Sequence, residues 1–184
     1  AVRDLGERIR ESEIAFFGGS FTAIDRRYMI SLLDTAYQYV KQYDFTGIRL
    51  STRPDAVDAE VLRLLRDYGV TSIELGAQSM DNRILALNGR GHTSRDVEEA
   101  SALIQEFGFS LGLQMMTGLY GDTPQKSYDT ALRLCTLHPD TVRIYPTVVL
   151  EGTELASLYR QGIYRPPGPE KSAELCAELL ELFE

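Results

Sequence analysis

The chain has 184 residues, 43% of them apolar and 25% charged, which supports a buried core and excludes a disordered protein. It falls short of the roughly 250 residues of a complete eightfold βα barrel. Its net charge of −8 disfavours broad nucleic-acid binding by charge alone. The sequence contains no membrane-spanning apolar run and no signal-peptide stretch at its beginning, so we expect a cytoplasmic protein without a membrane partner.

Short apolar runs alternate with longer amphipathic stretches, which is the pattern of βαβ units and a parallel sheet. Five runs predict strands, at residues 13–17, 47–51, 72–76, 110–116 and 141–145. Helices are predicted at residues 26–42, 57–68, 81–87, 94–107, from 124 onwards, and at 154–161 and 169–183. Five parallel strands backed by helices fit either a barrel fragment or an open sheet.

The predicted strands end in polar or glycine-rich segments, where parallel βα proteins bind ligands. Gly18 and Gly19 follow the first strand; they would let the backbone approach a small ligand, or form a plain turn. Gln78 and Gln114 stand at later strand ends and carry amides suited to ligand hydroxyls. Arg90 suits a carboxylate. For each of these three, a structural hydrogen bond is the alternative role.

Several common catalytic motifs are not in the sequence. It contains neither the dinucleotide fingerprint nor a phosphate-binding loop, and no zinc or calcium motif. His92 and His138 have no recognisable nucleophile motif beside them, so we expect structural roles for both. Cys135 and Cys176 are 41 positions apart, and both stand in apolar helical patterns, which predicts two small buried side chains rather than a disulfide or metal site.

Taken in order, segments between about residues 13 and 155 resemble the radical S-adenosylmethionine (SAM) superfamily. The resemblance is strongest to the branch that contains the catalytic subunit of Elongator and its bacterial relatives, with oxygen-independent coproporphyrinogen oxidase further off. The matching segments are residues 14–22 (IAFFGGSFT), 51–55 (STRPD), 74–80 (ELGAQSM), 88–93 (NGRGHT), 118–119 (GL), 143–146 (RIYP) and 151–155 (EGTEL).

The resemblance implies an α/β fold, a partial TIM-type (βα) barrel with about five parallel strands present and the first βα unit missing. Residues 1–184 would form a single radical SAM-like domain, with residues 156–184 as C-terminal helices. In such enzymes a [4Fe-4S] cluster passes an electron to SAM, which splits into methionine and a 5′-deoxyadenosyl radical. That radical abstracts hydrogen from a substrate.

The resemblance also assigns SAM contacts to residues of this chain. The methionine amino group would be held by Gly18, Gly19 and Ser20. The ribose and carboxylate would lie near Gln78, Arg90 and Gln114, and the adenine would be bordered by Met116 and Val148. Ser51 stands where many relatives carry a Glu that helps to bind the methionine end. Because serine is shorter and uncharged, we expect that contact to be altered here.

The family holds its cluster with a Cys-x3-Cys-x2-Cys loop, whose three thiolates leave one iron open. This sequence has no such loop, and its first strand matches the second strand of the family, so the loop would precede Ala1. We therefore expect this chain alone neither to assemble the cluster nor to cleave SAM. The strand at 13–17 would also lack a neighbour on one side, which predicts an edge-strand dimer.

Two other functions stay open. One is a non-catalytic binding or assembly domain with a degenerate SAM-type barrel. The other is a βα-barrel aldolase or isomerase, which would need a Schiff-base lysine or paired carboxylates at strand ends, whereas Lys41, Lys126 and Lys171 fall on predicted helices. For the radical SAM enzyme the substrate is a small molecule or, from the Elongator resemblance, tRNA; the charge of −8 weighs against tRNA.

Overall fold

The computed structural model describes residues 2–184. Its strands are β1 (Glu13–Phe16), β2 (Gly47–Thr52), β3 (Val70–Gln78), β4 (Ser110–Thr117) and β5 (Thr141–Pro146). Its helices are α1 (Val2–Leu5), α2 (Arg26–Tyr43), α3 (Ala59–Asp67), α4 (Asn82–Leu87), α5 (Ser94–Glu106), α6 (Pro124–Cys135), α7 (Glu154–Arg160) and α8 (Pro169–Phe183). Short 3-10 turns occupy Gly6–Glu11, Phe21–Ala23 and Pro54–Ala56. All five predicted strands are confirmed.

Side-chain caps start the long helices at the expected places. The Asp25 carboxylate accepts a hydrogen bond from the backbone N–H of Tyr28 and begins α2. Asp58 caps α3 and Thr123 caps α6 in the same way. Such caps satisfy backbone donors that have no partner inside the helix, so these helix starts are encoded locally.

The five strands form one sheet in the order β1-β2-β3-β4-β5. β1 pairs with β2 and β2 with β3 in parallel, with Ile14 opposite Ile48 and Leu50 opposite Ile73. Successive side chains alternate between the two faces; in β2 the buried Ile48 and Leu50 flank Arg49, which points to the opposite face. β1 lies at an edge of this sheet, and the edge-strand dimer stays a prediction.

The chain divides into two compact units. Unit 1 comprises the residues up to 76 together with 95–112, and unit 2 comprises residues 77–94 and 113–184. Each has its own buried apolar residues. In unit 1 they include Leu33, Ile48, Leu50, Leu62, Ile73 and Ile104, and in unit 2 Ile84, Leu113, Met115, Ala131, Leu134 and Leu179.

The cysteine prediction is wrong in one respect. Cys135 and Cys176 are free thiols, but each is only half-buried. The buried residues of α6 follow the 3.6-residue period from Ser127 through Thr130 and Ala131 to Leu134. Cys135 lies one position beyond that stripe, at the end of the helix, so its side chain stays partly in solvent.

Candidate ligand-binding site

In unit 1, β1 leads into residues 18–20, here called the 18–20 turn. Gly18 has φ +100°, a conformation that a side chain makes costly. Gly19 has an ordinary φ, and a Cβ built on it would meet no atom within 4 Å. The turn borders an open cavity of about 210 Å³, which is also lined by the rings of Phe16, Phe17 and Phe21. The backbone of this turn therefore faces free space.

Hydrogen bonds tie the segment after the 18–20 turn to the end of β2. The Thr22 N–H donates to Thr52 Oγ1 over 3.4 Å, and the two hydroxyl oxygens are 2.5 Å apart. The Thr22 hydroxyl donates to the carbonyl of Ala56 over 2.6 Å. The rings of Phe16 and Phe21 stack with centroids 4.5 Å apart. Contacts on both sides thus hold the turn in place.

Ser51 is buried in β2, opposite Glu74 of β3. Glu74 is only 1% exposed, and one of its carboxylate oxygens lies 3.3 Å from Nη1 of Arg49. Nη2 of the same guanidinium lies 2.6 Å from a carboxylate oxygen of Glu13. The Arg49 guanidinium thus forms ion pairs with both Glu13 and Glu74. The buried Glu74 carboxylate lies on β3, opposite Ser51.

In unit 2, Gln78 is the last residue of β3 and is half-buried. Its φ of +64° is unusual for a residue other than glycine. His92 is buried, and its Nε2 lies 3.1 Å from the carbonyl oxygen of Ala77. The structural role expected for His92 fits this contact.

A cavity of about 250 Å³ lies in unit 2, here called the Arg90 cavity. Arg90, Met116 and Val148 line it together with the side chains of Leu119, Leu155 and Leu158. Nη2 of Arg90 is 3.5 Å from the sulfur of Met116. Desolvation by the neighbouring cavity wall lowers the pKa of the Arg90 guanidinium, although the residue is exposed at the surface. The guanidinium nevertheless stays charged at neutral pH. Within residues 2–184 no carboxylate forms an ion pair with Arg90.

The Asn88 side chain fixes one wall of the Arg90 cavity. Its Nδ2 donates to the carbonyls of Ile84 and Tyr120 over 2.8 and 2.9 Å, and its Oδ1 accepts from the Tyr120 N–H over 3.1 Å. Asn88 falls in one of the matching sequence segments, but sequence reasoning did not select it. Its partner Tyr120 lies 32 positions further along the chain, so no local sequence pattern predicts these hydrogen bonds.

The loop after β4 is held at Gly118. The Tyr164 hydroxyl donates to the Gly118 carbonyl over 2.6 Å, and the Gly118 N–H donates to Oδ2 of Asp122 over 2.9 Å. Burial, and secondarily the charge of Asp122, raises the pKa of Tyr164. Gly118 has φ +73°, so glycine suits this position.

The structure groups the predicted site residues as follows. Arg90, Met116 and Val148 share the Arg90 cavity. Gln78 and Gln114 belong to the same unit but do not line that cavity; both are half-buried on their strands. The remaining four, Gly18, Gly19, Ser20 and Ser51, belong to unit 1.

In the part of the chain that the structure describes, no group of three His, Cys, Asp or Glu side chains could hold a metal ion. The two cysteines lie on α6 and α8. None of the helices described for residues 2–184 combines the length and the apolar character needed to cross a bilayer.

Parallel strands joined by helices define an α/β protein of the βα-barrel type, and cavities lie near the ends of its strands. The model of the Radical SAM superfamily matches residues 1–134, and the Radical_SAM C-terminal domain model matches residues 139–184. The chain therefore belongs to the radical SAM superfamily.

Comparison with individual proteins gives similar sequences over most of this chain. The chain is 31% identical to the tRNA uridine(34) acetyltransferase of Dehalococcoides mccartyi, over 90% of this chain and 40% of that protein. It is 30% identical to human Elongator complex protein 3, over 98% of this chain and 37% of that protein. The chain thus spans about 40% of the length of these curated relatives.

Solved structures confirm the fold class. The archaeal Methanocaldococcus infernus Elp3 with an N-terminal deletion superposes with a TM-score of 0.86 at 25% identity, over 97% of this chain and 46% of that one. Coproporphyrinogen III oxidase from Escherichia coli gives a TM-score of 0.71 at 20% identity, over 93% of this chain and 39% of that one. The partial (βα) barrel expected from the sequence is confirmed.

Proposed function

We propose that this chain is the SAM-binding core of a radical SAM enzyme, which as a whole protein cleaves SAM reductively to abstract hydrogen from a substrate. Family membership supports the general chemistry. The observation that carries the binding proposal is the Arg90 cavity, where a guanidinium without a carboxylate partner among the described residues borders an apolar surface.

The residues of unit 2 suit SAM chemically. The leucines, Met116 and Val148 offer apolar surface for the faces of an adenine ring. Arg90 offers the planar donor pair that binds a carboxylate through two hydrogen bonds. Gln78 and Gln114 carry amides that can donate to and accept from ribose hydroxyls. These side chains would bind and orient the ligand, and bound SAM supplies the sulfonium bond that reduction cleaves.

The 18–20 turn is a separate candidate contact, for the methionine amino group. A backbone carbonyl can accept a hydrogen bond from an ammonium group if no side chain blocks the approach. Neither the φ of Gly19 nor any contact within the fold demands glycine there. A ligand that approaches the backbone would account for it.

The described residues do not fit an iron-sulfur cluster. The two cysteines lie on α6 and α8, and no three-ligand group is present among residues 2–184. A cluster needs several thiolates converging on its irons. The role of the described residues in this proposal is therefore SAM binding alone.

We propose tRNA as the substrate class of the whole protein, because three relatives carry the name tRNA uridine(34) acetyltransferase. The charge of −8 gives this chain no broad attraction for a polyanion. Reaction of the whole protein with SAM under reduction, with and without tRNA, tests this. Hydrogen transfer to the adenosyl group that depends on tRNA is expected, and transfer that tRNA does not affect would reject this substrate.

Calorimetric titration of the 184-residue chain with SAM and with S-adenosylhomocysteine tests the binding proposal. We expect both to bind, and Arg90→Gln to weaken binding by about tenfold or more, since a charge-assisted hydrogen-bond pair is lost. The matched control is Arg83→Gln, which removes an exposed arginine of α4 in the same unit and should leave affinity unchanged. A wild-type chain that binds neither ligand would overturn the proposal and favour a degenerate barrel.

A further inference from the structure

β3 ends in a strained turn centred on Gln78. The Ser79 N–H donates to the Ala77 carbonyl over 2.7 Å, and Gln78 between them has φ +64°. A hydrogen bond from residue i+2 to residue i around a positive φ is the rare form of the three-residue γ-turn. A positive φ raises the conformational free energy of a residue that has a side chain, so this conformation persists only where surrounding contacts hold it.

His92 provides one of those contacts. It is 6% exposed, and its Nε2 lies 3.1 Å from the Ala77 carbonyl oxygen, the same oxygen that accepts from Ser79. A carbonyl oxygen can only accept, so Nε2 carries the proton in this contact. The partners are 15 positions apart, with α4 between them, so the contact forms only in the folded chain.

Helix α6 holds the residues after the turn. Thr130 Oγ1 accepts from the Met80 N–H over 3.1 Å and lies 3.3 Å from the Ser79 hydroxyl. Arg133 Nη1 donates to the Met80 carbonyl over 2.5 Å. These bonds fix residues 79 and 80, whereas the His92 bond fixes the carbonyl before Gln78. The Gln78 amide itself has no hydrogen bond within residues 2–184, so it is available to a ligand.

We propose that His92 is a positioning residue, which holds the strained turn through the Ala77 carbonyl and thereby sets the direction of the Gln78 amide at the end of β3. Without this donor, Gln78 would relax towards a negative φ and its side chain would leave that direction. The proposal rests on the proposed function, in which Gln78 contacts SAM.

The first test measures the turn itself, without ligand. Backbone couplings at Gln78 and amide exchange at Ser79 are recorded by NMR for the wild-type chain, His92→Gln and His92→Leu. Glutamine keeps a donor near the position of Nε2, whereas leucine keeps bulk without a donor. We expect His92→Gln to keep the positive φ, and His92→Leu to lose it and exchange the Ser79 amide about tenfold faster.

A His92→Leu chain that keeps both signals would overturn the proposal. If His92→Leu fails to fold, His92→Asn replaces it, since its shorter amide falls away from the carbonyl; retention of both signals in that variant overturns the proposal equally.

The second test is a double-mutant cycle on S-adenosylhomocysteine affinity. We expect His92→Leu to weaken binding by about tenfold and His92→Gln to stay within about threefold of wild type. In a Gln78→Ala background, His92→Leu should cause no further loss, because His92 acts through Gln78. An equal loss in both backgrounds would overturn the proposal. A wild-type chain that binds no ligand refutes the proposed function instead, and the NMR measurement still decides whether His92 holds the turn.

Discussion

At the scale of single residues, glycine is favoured for different reasons at the neighbouring positions Gly18 and Gly19. Gly18 has φ +100°, so its backbone requires glycine, whereas Gly19 has an ordinary φ and free space around it. The requirement at Gly18 belongs to the fold. If glycine is required at Gly19, the reason is a ligand that approaches the backbone there. Substituting each glycine by alanine should separate the two causes.

We expect Gly18→Ala to lower the free energy of unfolding by about 1–2 kcal/mol, because alanine is strained at that φ. Gly19→Ala should leave stability within about 0.5 kcal/mol of wild type and weaken S-adenosylhomocysteine binding. Urea denaturation and calorimetry measure the two effects. Gly168→Ala, another glycine with ordinary φ and no neighbouring atom within 4 Å, is the binding control. If Gly19→Ala leaves the S-adenosylhomocysteine affinity unchanged, the 18–20 turn does not contact the ligand.

Asp81 makes stability depend on pH. The Lys126 ammonium, 2.9 Å away, is the main cause that lowers the pKa of its carboxyl below the ordinary 3.8, and the Ile84 and Arg83 N–H groups add to it. A depressed folded pKa contributes stability that is present above the unfolded pKa and lost as pH falls through the folded value. Because both side chains are about one-third exposed, the contribution is at most about 1 kcal/mol.

We therefore expect wild type to lose more stability than Asp81→Asn when urea unfolding is compared between about pH 6 and about pH 3. Asp129, an exposed carboxylate on α6 of the same unit, supplies the control, since Asp129→Asn should keep the wild-type slope. Parallel slopes for wild type and Asp81→Asn would show that the ion pair contributes nothing.

At the scale of elements, α6 serves as an anchor for the connection from β3 to α4. Lys126, Thr130 and Arg133 are spaced by four and three positions, which places them on one helix face. They contact Asp81, the Met80 N–H and the Met80 carbonyl, respectively. One helix thus fixes three consecutive polar groups beyond the end of β3.

Thr130→Val tests this anchor. Valine fills the same volume but leaves the buried Met80 N–H without its acceptor, so we expect a loss of about 1–3 kcal/mol in unfolding free energy. Thr136→Val removes an exposed hydroxyl bonded only within its own helix end and should cost less than about 0.5 kcal/mol. Equal, small effects of both substitutions would show that α6 does not hold this connection.

At the scale of the whole molecule, a ligand that binds only the folded chain should stabilise it. S-adenosylhomocysteine at about a hundredfold excess over its dissociation constant adds about 2.7 kcal/mol, which raises Tm by several degrees for a chain of this size. Differential scanning calorimetry at matched ligand concentration should show a smaller rise for Arg90→Gln and the full rise for Arg83→Gln. A wild-type Tm that does not respond to the ligand would contradict SAM binding.

Much of the fold was predictable because its signals are local. The short run of β2, buried at five of its six positions, and the spacing of Met29, Leu33 and Ala36 on α2 can both be read from neighbouring residues. Caps such as Asp25 and Thr123 act within three residues of themselves. The site was predictable only as a set of residue types at strand ends, and its resemblance to a family supplied their roles.

The sequence by itself determined the succession of strands and helices along the chain and the candidate ligand groups, since each depends on neighbours within a few positions. It also determined the family, because short matching segments follow one another in the family's order. Only the tertiary structure decided that β3 runs on to Gln78 and ends in a strained turn, and that Arg90, Met116 and Val148 share one cavity. The physical reason is distance along the chain. The strain at Gln78 is held by His92 and α6, and the cavity wall by Asn88 and Tyr120, through contacts that exist only after these remote segments have folded together.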